Sequence, residues 1–440
     1  MAGFYAFLKR LHPAKLAALG YVSYILIGWL LLCLPFVQRG EGVKALDNLF
    51  TATSAMSTTG LVTVSVSDSY NLPGQLIVLV LIQLGGIGYM TFGSFVILSR
   101  HSELPEERSR VGGIVFSLPR SFRLDKFIRS VVVFTFVIEA VGAIALYAVF
   151  RGRGDAQAAW SAVFHSVSAF CTAGFSLHNN SFEAYADDFW LNAVVAALSY
   201  LGAIGFIVWV DYWRMLTARI RQVTLTSKII LWSTLWLTVA GTTLIFLAEP
   251  SIRDKSADKK LMASVFQAMT AMTTVGFNTI SISDVSRATL LVLTVLMLIG
   301  ASPSGTGGGL KSTTVSALFG VMRSALRGQQ QVRFWNRPVP HQRVWMAMAA
   351  LGFYVVMFVA GTYLLELTET FEFEQSLFEA ASALGTVGLS TGVTASLSAL
   401  GRCIIIFLMF CGRLGPLTFG IALFVTTAPP SEKQDNDLAT

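Results

Sequence analysis

Four stretches of this chain are copies of one another. LFTATSAMSTTGL (49–61), VFHSVSAFCTAGF (163–175), VFQAMTAMTTVGF (265–277) and LFEAASALGTVGL (377–389) align without gaps. In each, a Phe stands ten residues before a Gly: Phe50 and Gly60, Phe164 and Gly174, Phe266 and Gly276, Phe378 and Gly388. Successive glycines lie 114, 102 and 112 residues apart. Self-similarity at a near-constant period means one structural unit used repeatedly, so any fold for this chain must accommodate four alike units.

The surroundings of each copy narrow the choice. Of the 440 residues 54% are hydrophobic and 13% charged, about half the charge of an ordinary soluble chain. Apolar runs long enough to cross a bilayer recur at Leu16–Val37, Leu76–Leu98, Phe127–Phe150, Leu191–Val210, Ile229–Ala248 and Trp345–Leu365. No small-residue cleavage site follows the first run, so it is expected to stay as a helix and not to act as a signal peptide. The repeated motif itself offers only about 12 helical residues, too few to cross. Each unit therefore reads as span, re-entrant pore helix, non-helical filter strand, span. Irregular backbone of that kind is tolerated at membrane depth only inside protein or beside a wet cavity. The expected fold is an all-α integral membrane protein: four span–pore helix–span repeats, giving eight transmembrane helices around one pseudo-fourfold pore. Repeat boundaries fall at 13–100, 125–214, 226–328 and 342–428.

Charge supports this layout. With both termini cytoplasmic, the connectors 100–129, 211–228 and 311–343 and the two tails hold 21 of the 32 Lys and Arg. Sixteen of the 25 Asp and Glu lie on the opposite side, Asp187, Asp188, Glu372 and Glu374 among them. This positive-inside bias orients the chain, and the glycine segments then enter from outside. It also accounts for the net charge of +7 without a nucleic-acid partner.

A bare cation in a bilayer needs oxygens to replace its water. Rings of backbone carbonyls supply them without a fixed charge that would trap the ion. Four units around one axis give four carbonyls per layer, and glycine keeps a side chain out of the path. The half-helix ahead of each glycine directs its partial negative end toward that axis. The alternative reading makes each glycine an ordinary helix C-cap in a membrane hairpin.

These residues resemble the bacterial and plant potassium-transporter superfamily of the Trk, Ktr and HKT proteins, most closely its KtrB members, over nearly the whole chain. That resemblance implies a filter formed by Thr58, Thr59 and Gly60; Thr172, Ala173 and Gly174; Thr274, Val275 and Gly276; and Thr386, Val387 and Gly388. Glycine in all four resembles the potassium-selecting members, whereas serine in the first would have resembled sodium-selective plant members. The span after Gly276 is interrupted by Gly300, Ala301, Ser302, Pro303, Ser304, Gly305, Thr306, Gly307, Gly308 and Gly309, followed by Leu310 and Lys311. Proline and five glycines cannot hold a regular helix. A flexible turn would explain them; the resemblance implies an intramembrane gating loop, with Arg413 nearby. It further implies a homodimer and a separate cytoplasmic KtrA-like octameric ring that carries the regulatory nucleotide. From the residues alone, the basic cytoplasmic face (Arg323, Arg327, Arg333, Arg337) suits an acidic partner or anionic lipid.

Gated potassium uptake across a bacterial cytoplasmic membrane is the function this reading favours. The alternative is a sodium uniporter or sodium-coupled symporter on the same scaffold. Proton coupling would call for several intramembrane acids, and the chain offers mainly Glu139, read as an inter-helix clamp. His165 is expected to be packed and neutral. No paired carboxylates, HExxH, nucleophile elbow or phosphate loop is present, so no enzyme is expected. Cys33, Cys171, Cys403 and Cys411 have no CxxC spacing and imply neither a disulfide framework nor a metal site. No cofactor is expected beyond the transported ion.

Overall fold

The structure, a computed structural model, describes residues 13–40, 42–88, 124–217, 222–335 and 337–424. It is helical almost throughout. Among the described residues the only ladder is a two-residue hairpin, Arg333–Phe334 with Arg337–Pro338, in the connector after the third unit.

Each unit starts with a long apolar helix: α1 (Pro13–Leu32), α4 (Leu124–Gly152), α8 (Leu225–Ala248) and α12 (His341–Thr368). These four are long and apolar enough to cross a membrane. Their outward residues are hydrophobic, such as Phe136, Val137 and Ile144 on α4 and Leu235, Trp236 and Val239 on α8. A soluble surface would not leave such a belt bare.

A short helix follows in each unit: α2 (Ala45–Met56), α5 (Ala158–Phe170), α9 (Ala257–Thr273) and α13 (Phe373–Gly385). From Phe50 to Met56 every residue of α2 is buried, and the other three are covered in the same way over their last two turns. Small residues (Ala, Ser, Thr, Gly) make this possible, because they let neighbouring backbones approach closely without lipid between them.

The unit closes with a second helix: α3 (Leu72–Ile87), α6 (Phe189–Ala203), α10 (Arg287–Leu298) or α14 (Ala399–Leu414). Each opens with a side-chain cap. Asn71, Asp188, Ser286 and Ser398 accept from the N–H three residues on, supplying a partner to a donor the helix leaves free. The caps also bind the end of the first helix. Glu249 accepts from the Ser286 N–H (3.0 Å), Glu369 accepts from the Ser398 hydroxyl (2.6 Å), and Arg153 pairs with Asp188 (2.9 Å).

Among the described residues, three of these second helices are interrupted. After α6 the chain turns 90° into α7 (Phe206–Leu216). After α10 comes the 300–311 segment and then α11 (Ser312–Leu326), and α14 passes through Gly415 into α15 (Pro416–Phe424). The run expected over Leu191–Val210 is thus two helices at a right angle. Its hydropathy could not reveal this, because the run stays apolar straight through the break, from Ala203 to Val210. Residues 89–100 and 425–428, expected to end the first and fourth repeats, lie outside the described residues.

The fourth unit seals against the first through a charge pair. Arg402 on α14 donates to Asp47 on α2 at 2.7 Å, with side chains 19% and 7% exposed. Removing one partner leaves a largely buried charge uncompensated. Arg402→Ala is expected to destabilise the protein by about 3 kcal/mol, near the low end for such pairs. Thermal unfolding in detergent checks this, and Asp47→Asn combined with Arg402→Ala should recover part of the loss.

Candidate ion-conducting site

The four short helices converge and end alike. Thr58, Thr172, Thr274 and Thr386 each have a left-handed backbone, with φ of 52°, 50°, 59° and 52°. Their N–H groups bond the carbonyl three residues back (3.1, 3.2, 3.4 and 3.1 Å). The next residue in each, Thr59, Ala173, Val275 or Val387, bonds the carbonyl five residues back (2.9, 2.8, 3.1 and 2.8 Å). This is the helix-ending motif that normally takes glycine or asparagine. Threonine there costs on the order of 1–3 kcal/mol at each site. Paying that four times over requires surroundings that fix the conformation.

One residue on stand the four aligned glycines, with φ of 93° at Gly60, 66° at Gly174, 80° at Gly276 and 98° at Gly388. They form a closed ring. A Cβ on Gly60 would lie 2.5 Å from the Ala173 carbonyl oxygen, and one on Gly174 would lie 2.4 Å from that of Val275. One on Gly276 would meet Val387 at 2.0 Å, and one on Gly388 would meet Thr59 at 2.1 Å, returning to the first unit. Each glycine is therefore required twice, by its own dihedral and by the next unit's backbone. The pore-helix hydroxyls of Ser54 and Ser382 accept from the N–H of Gly60 (3.1 Å) and Gly388 (3.0 Å). In the second unit Ser168 instead donates to the Phe175 carbonyl at 2.8 Å.

One face of this ring opens into a cavity of about 420 Å³, lined by the four glycines and by Thr63, Ser176, Asn278, Ser390 and Thr394. The other face is covered by the 300–311 segment. Its ends meet where Ile299 pairs with Leu310. Its first half rests on the break between α6 and α7: the N–H groups of Ser302 and Thr306 donate to Ala203 (3.1 Å) and Gly202 (3.2 Å), and Ser304 accepts from Phe206 (3.1 Å). Pro303 and Gly305 lie against the backbone of Gly205 and Ala203. Gly300 packs on Gly308, and Ala301 is buried.

The second half reaches the left-handed threonines. Thr58 donates to the Thr306 carbonyl (3.3 Å), and Thr172 pairs with the Thr306 hydroxyl (3.1 Å). The Thr386 hydroxyl accepts from the Gly308 N–H (3.0 Å), and Thr274 stands against Gly307 so closely that a Cβ there would lie 2.1 Å from its hydroxyl oxygen. One threonine from every unit thus touches residues 306–308. Lys311 donates to the Gly307 carbonyl at 2.8 Å. Arg413 donates to the carbonyls of Thr306 and Gly85, joining the third, fourth and first units. Its partners are carbonyls and not Glu139. Glu139 instead accepts from Gln83 (2.9 Å) and Cys171 (3.6 Å), linking α3, α4 and the end of α5. His165 is fully buried, donating to the Ser161 carbonyl (2.7 Å) and facing the Ser176 hydroxyl (3.0 Å).

All twelve residues expected at the ring therefore come together, and Thr306–Gly309, Lys311 and Arg413 gather on one side of it. Residues 302–305 contact the second unit's break, while Gly300 packs back on Gly308. A further aligned feature escaped the sequence reading: Gly85, Gly202 and Gly412, each three residues before a left-handed glycine (Gly88, Gly205, Gly415). A Cβ on any of them would lie 2.0–2.1 Å from the pore-helix carbonyls of Met56, Phe170 and Leu384. The recurring Gly-x-x-Gly was the available signal.

Among the described residues, no group of His, Cys, Asp or Glu is arranged to hold a metal ion. The polar groups that the ring itself offers are backbone and hydroxyl oxygens, and hard oxygens of that kind suit alkali cations in general.

The chain resembles known proteins along nearly its full length. It is 34% identical to the potassium/sodium uptake protein NtpJ of Enterococcus hirae, over 95% of this chain and 94% of that one. It is 33% identical to the Ktr system potassium uptake protein B of Vibrio alginolyticus, over 93% and 90%. Against the crystal structure of the potassium transporter TrkH from Vibrio parahaemolyticus the TM-score is 0.70 at 19% identity, covering 92% of this chain and 84% of that one, a likeness of fold. Residues 30–435 match the TrkH family, described as cation transport protein. The chain thus belongs to the TrkH family of cation transport proteins.

Proposed function

We propose that this chain carries potassium into a bacterial cell across the cytoplasmic membrane, passively and under gate control. The observation that carries the reading is the closed ring of glycine–carbonyl contacts running from Gly60 through Gly174 and Gly276 to Gly388 and back. Four pore-helix ends directed at one axis add partial negative charge there. The names of both relatives include potassium uptake, one of them together with sodium, which supports potassium as an ion carried. The TrkH-family relatives are transporters, and no enzyme chemistry enters this proposal.

In this reading the repeats are 13–100, 125–214, 226–328 and 342–428, and the second helix of each, though short or bent, completes a crossing. Eight crossings leave both termini cytoplasmic and put the 420 Å³ cavity outside. The segments Thr58–Gly60, Thr172–Gly174, Thr274–Gly276 and Thr386–Gly388 are the filter. The 300–311 segment, with Lys311 and Arg413, is a gate held shut by the threonine contacts and by two cations on the axis side. The pore protein works as a homodimer beneath an octameric KtrA-like ring, which binds nucleotide and docks on the basic cytoplasmic face near Arg323 and Arg337. Anionic lipid occupies the rest of that face.

Uptake of rubidium into proteoliposomes, driven by an inside-negative potential, tests the function. Rubidium should enter and excess sodium should compete weakly. Sodium entry in preference to rubidium would favour the sodium uniporter. Gly60→Ser should narrow the rubidium-over-sodium preference about tenfold, the equivalent of ~1.4 kcal/mol, and an unchanged ratio would count against the filter assignment. Thr306→Ala and Arg413→Gln each remove hydrogen bonds that hold the loop, together worth about 1–3 kcal/mol. Both should raise the uptake rate several-fold in the absence of any regulatory partner, measured as initial rubidium flux per protein.

A further inference from the structure

Nine residues before each filter glycine, at the same turn of the pore helix, stand four different polar residues: Thr51, His165, Gln267 and Glu379. All four are buried, with exposures of 0, 0, 0 and 1%. Three of them hold the strand that leaves the filter. The His165 imidazole faces the Ser176 hydroxyl (3.0 Å) and accepts from the Leu177 N–H (3.3 Å). The Gln267 side-chain amide faces the N–H groups of Thr279 (3.2 Å) and Ile280 (3.3 Å), which assigns its oxygen as the acceptor of both. In the first unit Thr51 is too short for this, and Asp47, one turn earlier, accepts from the Thr63 hydroxyl at 2.7 Å.

Glu379 is set apart by its donors. One oxygen receives the Ser390 hydroxyl (2.5 Å) and the Thr391 N–H (3.1 Å), and the other receives the Thr394 hydroxyl (2.7 Å). It makes no ion pair among the described residues. The carboxylate thus ties down a loop two to six residues past Gly388. Gly388 itself sits on the Thr59 carbonyl, so any displacement of the fourth strand is passed to the first.

We propose that Glu379 is a positioning residue for the filter, and that the preference for potassium over sodium depends on the hydrogen bonds it receives from Ser390, Thr391 and Thr394. The inference rests on the filter reading above. On the cavity-size account of selectivity, a smaller ion gains when carbonyls are free to close on it, so discrimination by the glycine layer depends on how firmly the flanking backbone is held. A shift of about 0.5 Å in a supporting group is enough to spoil a binding geometry. The carboxylate can receive all of its donors at once. Glutamine in its place keeps one acceptor oxygen, and alanine keeps none.

The test uses the full-length protein in proteoliposomes, with sodium competing against rubidium uptake, and Glu379→Ala, Glu379→Gln and Thr394→Ala compared with the unaltered chain. The sodium concentration that halves rubidium uptake is expected to fall about tenfold for Glu379→Ala, the equivalent of one decade in relative affinity. Smaller falls are expected for Thr394→Ala and for Glu379→Gln, the near-isosteric replacement. Thermal unfolding of each variant is measured alongside. A lower melting temperature with an unchanged competition curve would make Glu379 merely structural and overturn the proposal. If Glu379→Ala does not fold, competition curves for Glu379→Gln and Thr394→Ala that both match the unaltered chain overturn it equally. Absence of any rubidium preference in the unaltered protein would instead bring down the potassium reading, and this inference with it.

Discussion

The close approach of one unit's glycine to the next unit's carbonyl is the contact on which the rest of the molecule depends. Backbone can come this near only where no Cβ intervenes, and the ring repeats the approach until it returns to its start. Small residues on the pore helices let four of them crowd together behind the ring, and the long apolar helices can then remain outside. The left-handed threonines belong to the same constraint. They turn each chain sharply at a helix end so that carbonyls, and not side chains, face the neighbouring unit.

The symmetry of that ring is not matched below it. The third unit alone spends its second helix on the 300–311 segment, which lies on the second unit's break and reaches a threonine from all four. The fourth unit supplies Arg413, which bridges the loop to Gly85 of the first. On the proposed function, selection of an ion and control of its passage fall to different parts of one scaffold: four aligned strands for the first, and an unequal third and fourth unit for the second.

The period, the shortness of three of the four helices ahead of the glycines, and the glycines themselves were legible in the sequence, because composition and spacing encode them directly; the third such helix runs to 17 residues, starting eight residues before its motif. The Gly-x-x-Gly of the second helices was equally legible but overlooked, since glycine within an apolar helix looks like ordinary close packing. The left-handed backbone of Thr58 and its three counterparts was not readable. Threonine has no preference for it, and only the surrounding backbone imposes it. The bend after Ala203 was hidden for a related reason: hydropathy reports how apolar a stretch is and says nothing of its direction. The partners of Arg413 were not readable either, because carbonyls of the first and third units reach it only through tertiary proximity.

The closure of the ring also has a consequence for how the protein is made. Synthesis runs from the first unit to the fourth, yet Gly388 must meet Thr59, a residue made more than 300 positions earlier. Until that meeting the first three pore helices, rich in serine and threonine, have no complete set of neighbours. The nascent chain must carry polar half-helices through or beside the insertion machinery and assemble its centre last. Its most vulnerable moment is thus the interval before residues 377–414 arrive, and damage at the seam between Asp47 and Arg402 would be felt first as a failure of biogenesis.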